Sequence, residues 1–248
     1  MNRTKNRTKA YRLADQDMEF LNHDDTRGVR LELEYLKAEA LLRKHRVRHT
    51  ILVMGSTRVS RRNPYYRVAR EFGRIVGRVP HAAIMTGGGP GIMEAANRGA
   101  YEAGGLSIGM NIDLPRAQQA NRYTTPGLSL CFRYFALRKL HFLLRARAMV
   151  AFPGGFGTFD ELFETLTLVQ TSKIEPLPVV LVGQAYWRRA VDVEYLLAEG
   201  MIQSADRKLF CYADSARGIW KSIRHWYREA GEPVFPQASA SPAPSRSA

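Results

Sequence analysis

The apolar positions of this chain fall into two alternating kinds of segment. One kind is a short continuous run, found at 50–55, 82–86, 106–112, 128–132, 148–152, 178–182 and 209–212. Runs this short and this apolar read as strands buried on both faces. Between them, apolar residues recur at helical spacing. The helices expected are 64–76, the segment from the glycine cluster at 87–91 through Glu102, then 134–147, 158–170, 186–199 and 215–229. Asn63-Pro64 offers a cap and a first-turn proline for the first of these, and Gly104-Gly105 ends the second. Continuous apolar strands alternating with amphipathic helices imply an α/β fold. The expected form is Rossmann-like: a doubly wound, mostly parallel sheet with helices on both faces.

This domain is expected to span 46–230. Residues 1–45 read as an N-terminal arm, polar and loosely docked to about residue 27, then helical over 30–43 with a weakly defined apolar face. Residues 231–248 read as a disordered Pro/Ser/Ala tail. The basic N-terminus lacks the apolar core of a secretory signal. No apolar run approaches the roughly 18 residues of a membrane span, so a cytoplasmic protein with no membrane partner is expected.

Composition adds one unusual quantity. Among 248 residues the net charge is +14, with ordinary apolar (45%) and charged (24%) fractions. Such a charge speeds encounter with phosphorylated ligands, but the Arg and Lys residues are scattered in sequence and do not mark a nucleic-acid partner. Cys131 and Cys211 have no metal or redox spacing and read as reduced core residues. The six histidines form no HxxH, HxH or HExxH pattern, so no metal and no cofactor are expected.

Open parallel sheets bind ligands beyond the carboxyl ends of their strands. Four segments converge there: 55–57 with Ser56, the glycine cluster 87–91, the polar loop 113–126 and the segment 153–161. Four glycines in five residues exceed the needs of one turn, so Gly88, Gly89 and Gly91 suggest a backbone lying close to a ligand. This cluster is neither GxGxxG nor a P-loop. Glu94 and Asn97, on the following helix, are candidate polar contacts or simply a solvated face.

In Pro153-Gly154-Gly155-Phe156-Gly157-Thr158-Phe159-Asp160-Glu161, Gly154, Gly155 and Gly157 allow a phosphate to approach backbone N–H groups at a helix start. Thr158 adds a hydroxyl. Glu161 is open to two readings, a capping-box residue paired with Thr158 or a carboxylate for chemistry. Arg138, on the helix before, reads alone as a surface cation, and Lys139 beside it is a candidate substrate or phosphate contact.

Together these segments resemble one family. Gly-Gly-Gly-Pro-Gly-Ile-Met-Glu at 87–94, Leu-Arg-Lys at 137–139 and Pro-Gly-Gly-Phe-Gly-Thr-Phe-Asp-Glu at 153–161 match the LOG ("lonely guy") family, long labelled lysine decarboxylases. The match covers roughly 48–212, with Arg138 and Glu161 at the family's spacing of 23. Gly-Gly-Gly-Pro-Gly and the long arm resemble a bacterial-type branch. The resemblance implies hydrolysis of the N-glycosidic bond of a nucleoside 5′-monophosphate, AMP or a cytokinin riboside 5′-monophosphate, to free base and ribose 5-phosphate. It implies Arg138 and Glu161 as catalytic residues, with Gly154, Gly155, Gly157 and Thr158 at the 5′-phosphate. It also implies a homodimer or higher homo-oligomer. A non-catalytic nucleotide or alarmone sensor on the same fold is the alternative. A decarboxylase would need pyridoxal phosphate, with Lys139 the one lysine near the expected site.

Overall fold

The computed structural model describes residues 9–115 and 119–236. Seven strands form one sheet: β1 (His49–Met54), β2 (Ala82–Thr86), β3 (Leu106–Ile112), β4 (Ser129–Phe132), β5 (Ala146–Ala151), β6 (Val179–Val182) and β7 (Phe210–Ala213). Their order is β4-β3-β2-β1-β5-β6-β7. Every neighbouring pair is parallel, so the sheet is wholly rather than mostly parallel. Nine α-helices are present among the described residues. They are α1 (Met18–Asn22), α2 (Arg27–Lys44), α3 (Pro64–Gly77), α4 (Ile92–Glu102), α5 (Phe135–Leu143), α6 (Phe156–Gln170), α7 (Gln184–Ala190), α8 (Val193–Ala198) and α9 (Ala216–Glu229). None is long and apolar enough to cross a membrane.

The two-residue period of a strand divides the core. Ile51 and Val53 of β1 join Phe72, Ile92, Ile219 and Tyr227 on the face covered by α3, α4 and α9. Leu52 and Met54 join Leu42, Phe142, Leu162 and Trp187 on the face covered by α2, α5, α6 and α7. Trp187 Nε1 donates to the carbonyls of Ala151 and Val182, at 3.2 and 3.0 Å, pinning α7 to the sheet. On the first face α3 and α4 lie unusually close. A side chain at Gly73 would meet the Ala96 carbonyl, and one at Gly99 the Arg70 carbonyl.

Several boundaries differ from expectation. Asn63 does cap α3, its side chain accepting from Tyr65 N at 2.9 Å. The helix expected over 134–147 stops at Leu143, because β5 begins at Ala146. The helix expected over 186–199 is two: the chain is extended at Val191, and Asp192 caps α8 by accepting from Tyr195 N. Cys131 and Cys211 are unbonded but exposed rather than in the core, because β4 and β7 are the outermost strands.

The arm is ordered from residue 9 through short helical turns into α2. Arg30 holds those turns together, its guanidinium donating to Leu21 O, His23 O and Thr26 Oγ1. The arm also grips α5. Helix α5 has no side-chain cap of its own. Instead Glu34 of α2 accepts from Arg133 N at 2.6 Å and Tyr134 N at 3.3 Å, placing a carboxylate where a helix start favours one. Arg145 meets Glu39 through two 2.7 Å bonds. At the other end of the chain, the Val234 and Pro236 carbonyls contact Arg147 and His49. The remaining tail, 237–248, and the first eight residues lie outside the described residues.

Candidate functional site

Strands β1 and β5 are neighbours at the centre of the sheet, and the chain leaves them in opposite directions. After β1 it winds through α3 to β2; after β5 it winds through α6 to β6. This reversal leaves a crevice beyond the strand ends, where open α/β sheets take ligands. A cleft occupies it. Its walls come from the loop 54–59 after β1, Gly87 after β2, Ile112 and Leu114 after β3, Phe135 and Arg138 of α5, Pro153–Thr158 and Glu161 after β5, and Tyr186 of α7.

The loops are tied to one another. Ser56 N donates to Pro153 O at 3.0 Å, and Ile92 N donates to Ser56 O at 3.1 Å. Tyr186 donates its hydroxyl to Gly154 O at 2.5 Å. Helix α6 starts at Phe156 with Gly155 as its cap, and no side chain satisfies its first N–H groups. Gly155 and Gly157 have nothing within 4 Å of the place a Cβ would occupy. The start of α6 thus presents the uncapped N–H groups of Phe156 and Gly157 at the cleft, while Thr158 N bonds Gly155 O at 2.9 Å, an arrangement suited to an anion.

Glu161 lies on that same helix. With α6 starting at Phe156, Thr158 is already inside the helix, and Glu161 is too far along to cap it; the capping-box reading does not hold. The carboxylate is instead buried, 4% exposed, with one oxygen 3.2 Å from Arg138 Nη2. Burial pushes the Glu161 pKa up to about 7, and the Arg138 charge offsets this only in part. Arg138, 8% exposed, lies over the rings of Phe135 and Phe142, at 4.9 and 5.3 Å. Its Nε has no partner. A guanidinium has five N–H donors; this one spends a single hydrogen bond on protein, and although Nε is buried, donors on its terminal nitrogens remain for a ligand. Sequence spacing alone would have left Arg138 as a surface cation, whereas the fold buries it against Glu161.

The other candidates are placed differently. Gly88, Gly89, Gly91, Glu94, Asn97 and Lys139 do not line the cleft, whereas Ser56, Gly154, Gly155, Gly157 and Thr158 do. Gly88 and Gly91 have φ of +73° and +70°, and a side chain at Gly91 would strike the Ser56 and Thr57 backbone. Glu94 accepts from Tyr66 OH at 2.9 Å and Arg61 Nη2 at 2.8 Å. Asn97 is fully buried. Its Oδ1 accepts from Thr86 Oγ1 and Asn121 Nδ2, and its own amide donates to Ser107 Oγ and Ile108 O. Asn121 in turn donates to the carbonyls of Gly88 and Gly89. These side chains hold the glycine turn in place. Sequence reasoning missed Asn121; its one signal was an Asn in a polar loop beyond a strand end. Replacing Asn97 by Ala is expected to cost about 2–4 kcal/mol in urea unfolding, because Thr86, Ser107 and Asn121 lose their buried partner together. A variant within 1 kcal/mol of wild type (~1, the worth of a single hydrogen bond) would contradict this.

Lys139 Nζ lies 3.0 Å from Asp160 and 3.2 Å from Glu164, and these hydrogen bonds raise its pKa against the effect of burial. A Schiff base with pyridoxal phosphate needs a neutral amine facing the ligand. Lys139 is held charged, outside the cleft, and does not fit that cofactor. No cluster of three or more His, Cys, Asp or Glu side chains suited to a metal occurs among the described residues.

Comparison with known proteins agrees with this geometry. The family model described as "Possible lysine decarboxylase" matches residues 93–223, just over half the chain. A cytokinin riboside 5′-monophosphate phosphoribohydrolase of Arabidopsis thaliana is 26% identical over 155 residues, which is 61% of this chain and 64% of that protein. The chain thus spans a little under two thirds of the length of that relative. An enzyme of the same description from Oryza sativa subsp. japonica is 24% identical over 190 residues, 75% of this chain and 77% of its own. Among solved structures, the molybdenum cofactor carrier protein of Chlamydomonas reinhardtii superposes with a TM-score of 0.51 at 25% identity, covering 72% of this chain and 97% of its own. The molybdenum cofactor binding protein of Rippkaea orientalis shares the fold, with a TM-score of 0.51 at 21% identity and the same coverage. The matched family model, over more than half the chain, and the phosphoribohydrolase relatives identify the chain as a member of the LOG family, whose model carries the lysine decarboxylase label.

Proposed function

We propose that the protein is a cytoplasmic, homodimeric hydrolase that cleaves the N-glycosidic bond of nucleoside 5′-monophosphates, AMP or a cytokinin riboside 5′-monophosphate, giving free base and ribose 5-phosphate. The observation that carries this reading is the Arg138–Glu161 pair, buried in the cleft beside an uncapped helix start. The names of the Arabidopsis and rice relatives support it.

In this reading the 5′-phosphate binds the N–H groups at the start of α6, beside Gly155, Gly157 and the Thr158 hydroxyl. Glu161 lies five residues further along the helix, about 7.5 Å by the helical rise. That is the order of length of a ribose 5-phosphate, so the carboxylate comes beside the anomeric carbon. As the C1′–N bond lengthens, positive charge develops on the sugar ring and the ionised Glu161 stabilises it. Water supplies the oxygen that bonds C1′, and one of its protons goes to the departing base nitrogen. Arg138 stays charged near neutral pH, so its part is electrostatic: it holds Glu161 in place and donates to substrate oxygen or nitrogen atoms. Exposed apolar residues on two touching helices, Val29, Leu33 and Leu36 of α2 and Leu140 of α5 with its C-cap residue Leu144, support a second copy as partner.

The test is direct. The protein is incubated with AMP, GMP, CMP or a prenylated AMP, and base and ribose 5-phosphate are measured. Release from at least one is expected; release from none overturns the reading. The second reading is a nucleotide or alarmone sensor on the same fold without hydrolysis; the fold is shared with a protein described as a molybdenum cofactor carrier, a binding role rather than catalysis. Tight binding of these nucleotides with no base released would select it.

A further inference from the structure

We propose that the surface formed by α3 and α9 binds the phosphate backbone of double-stranded nucleic acid. The two helices lie side by side, on the sheet face opposite α5 and α6. Each carries a row of cations at helical spacing: Arg67, Arg70, Arg74 and Arg78 on α3 and its C-terminal cap, and Arg217, Lys221, Arg224 and Arg228 on α9. Spacings of three and four put each row on one side of its helix. Two grooves run along the rows and share Ile75 and Arg217 in their walls, so the surface runs on from one row to the other; against its cations those walls set two acids, Glu71 and Glu232.

Five of these eight charges are uncommitted. Glu102 takes up Arg70 and Arg74, and Glu229 meets Arg228. Arg67, Arg78, Arg217, Lys221 and Arg224 are exposed, and no acid pairs with them among the described residues. Five unpaired like charges on one surface repel one another, so they raise the energy of the protein until an anion arrives. The same repulsion argues against a second copy docking here.

Each row covers twelve residues, eleven rises or about 16 Å of helix. That length of duplex carries roughly nine backbone charges, ample for two adjacent rows. The character of the surface favours this partner over others. None of the large exposed hydrophobic residues lies on α3 or α9, so there is no apolar wedge for a lipid surface. Tyr66 and Tyr227 are buried, and Trp220 is half-buried and stacked on Phe235. Trp226 is half-buried and set edge-on to Tyr227, and Tyr65 lines the cleft, so among the described residues no fully exposed aromatic on these helices offers a platform for the bases of a single strand. What remains is contact with regularly spaced phosphates, without regard to sequence.

The test uses a labelled 20-base-pair duplex of mixed sequence (a length of roughly two helical turns) and fluorescence anisotropy at several salt concentrations. Binding is expected at low salt. With about five phosphates neutralised, the slope of log K against log salt should be near −4.5. Raising the salt fourfold then weakens binding on the order of 10²-fold or more. Combining Arg67→Glu, Arg78→Glu, Arg217→Glu and Arg224→Glu should abolish binding while leaving the circular dichroism spectrum and melting temperature near wild type. Should that variant fail to fold, the matching four-alanine variant should lower the slope by about four. No binding at low salt, or an unchanged slope in the variant, overturns the proposal. So does capture by phosphatidylglycerol vesicles or polyglutamate without capture of the duplex.

Discussion

Turnover of AMP should fall about 10³-fold when Glu161 is replaced by Gln, while the nucleotide still binds. The amide keeps the shape and an oxygen acceptor for Arg138 Nη2 but loses the charge that stabilises the cationic sugar. The 5′-phosphate contacts at the start of α6 are untouched, so the loss should appear in kcat far more than in KM. Unchanged turnover would remove Glu161 from the chemistry. The same substitution has a second signature. The Glu161 pKa is pushed up to about 7 in the folded protein, from 4.5. A carboxyl with a raised folded pKa adds stability below its unfolded pKa, and that contribution is lost as pH rises through the folded value. Between pH 4.5 and pH 8 the wild type should therefore lose about 3 kcal/mol that the Gln variant keeps. Thermal melts of both proteins across this range measure it, and a constant difference between them would contradict the strained carboxylate. Wild-type kcat/KM should run the opposite way, rising with pH through about 7 as the carboxylate ionises. The ionisation that favours turnover is thus the one that weakens the fold, an expected cost of a buried catalytic charge.

Substituting Val for Gly99 should abolish cooperative folding or cost more than about 4 kcal/mol. The reason lies between α3 and α4. A Cβ at Gly99 would press on the Arg70 carbonyl, and Gly73 presents its own bare face to the Ala96 carbonyl. These contacts are backbone to side chain, so no rotamer change can relieve them. Separating the helices instead would open voids around Phe72, Ala96 and Ala100, which are fully buried. Gly28 of α2 supplies the contrast, because nothing lies within 4 Å of the place its Cβ would occupy. There Gly→Ala should be stabilising by about 0.5–1 kcal/mol. Urea unfolding of both variants checks the pair, and a Gly99→Val protein within about 1 kcal/mol of wild type would sink the close-crossing argument.

The βα alternation was legible because it rests on local apolar runs, but the order of the strands was not. Nothing in the sequence of β4 or β7 says that it ends at an edge, and so the exposure of Cys131 and Cys211 could not be read. The start of α6 was missed for a different reason. Gly155 and Phe156 are weak helix-start signals, and Thr158 three residues before Glu161 imitates a strong one. The break at Val191 did have a signal, since Asp192 is a good cap, but the apolar spacing ran on across it. Arg138 and Glu161 are 23 residues apart, and only the packing of α5 beside α6 brings them together. The cation rows of α3 and α9 were present as steps of three and four residues; their adjacency belongs to the fold.

The grip of Glu34 on α5 bears on what counts as the smallest working unit. Residues 93–223 match the family model, yet two pieces of the site lie outside them. One is β1, which forms one wall of the crevice. The other is the arm, whose carboxylate secures the chain entering the helix that carries Arg138. A fragment cut to the family boundaries would keep the motifs at 137–139 and 153–161, lose residues 87–92 of the glycine motif, and lose the framework that aims them. The arm belongs to the apparatus of the site, as a brace built from the far end of the chain.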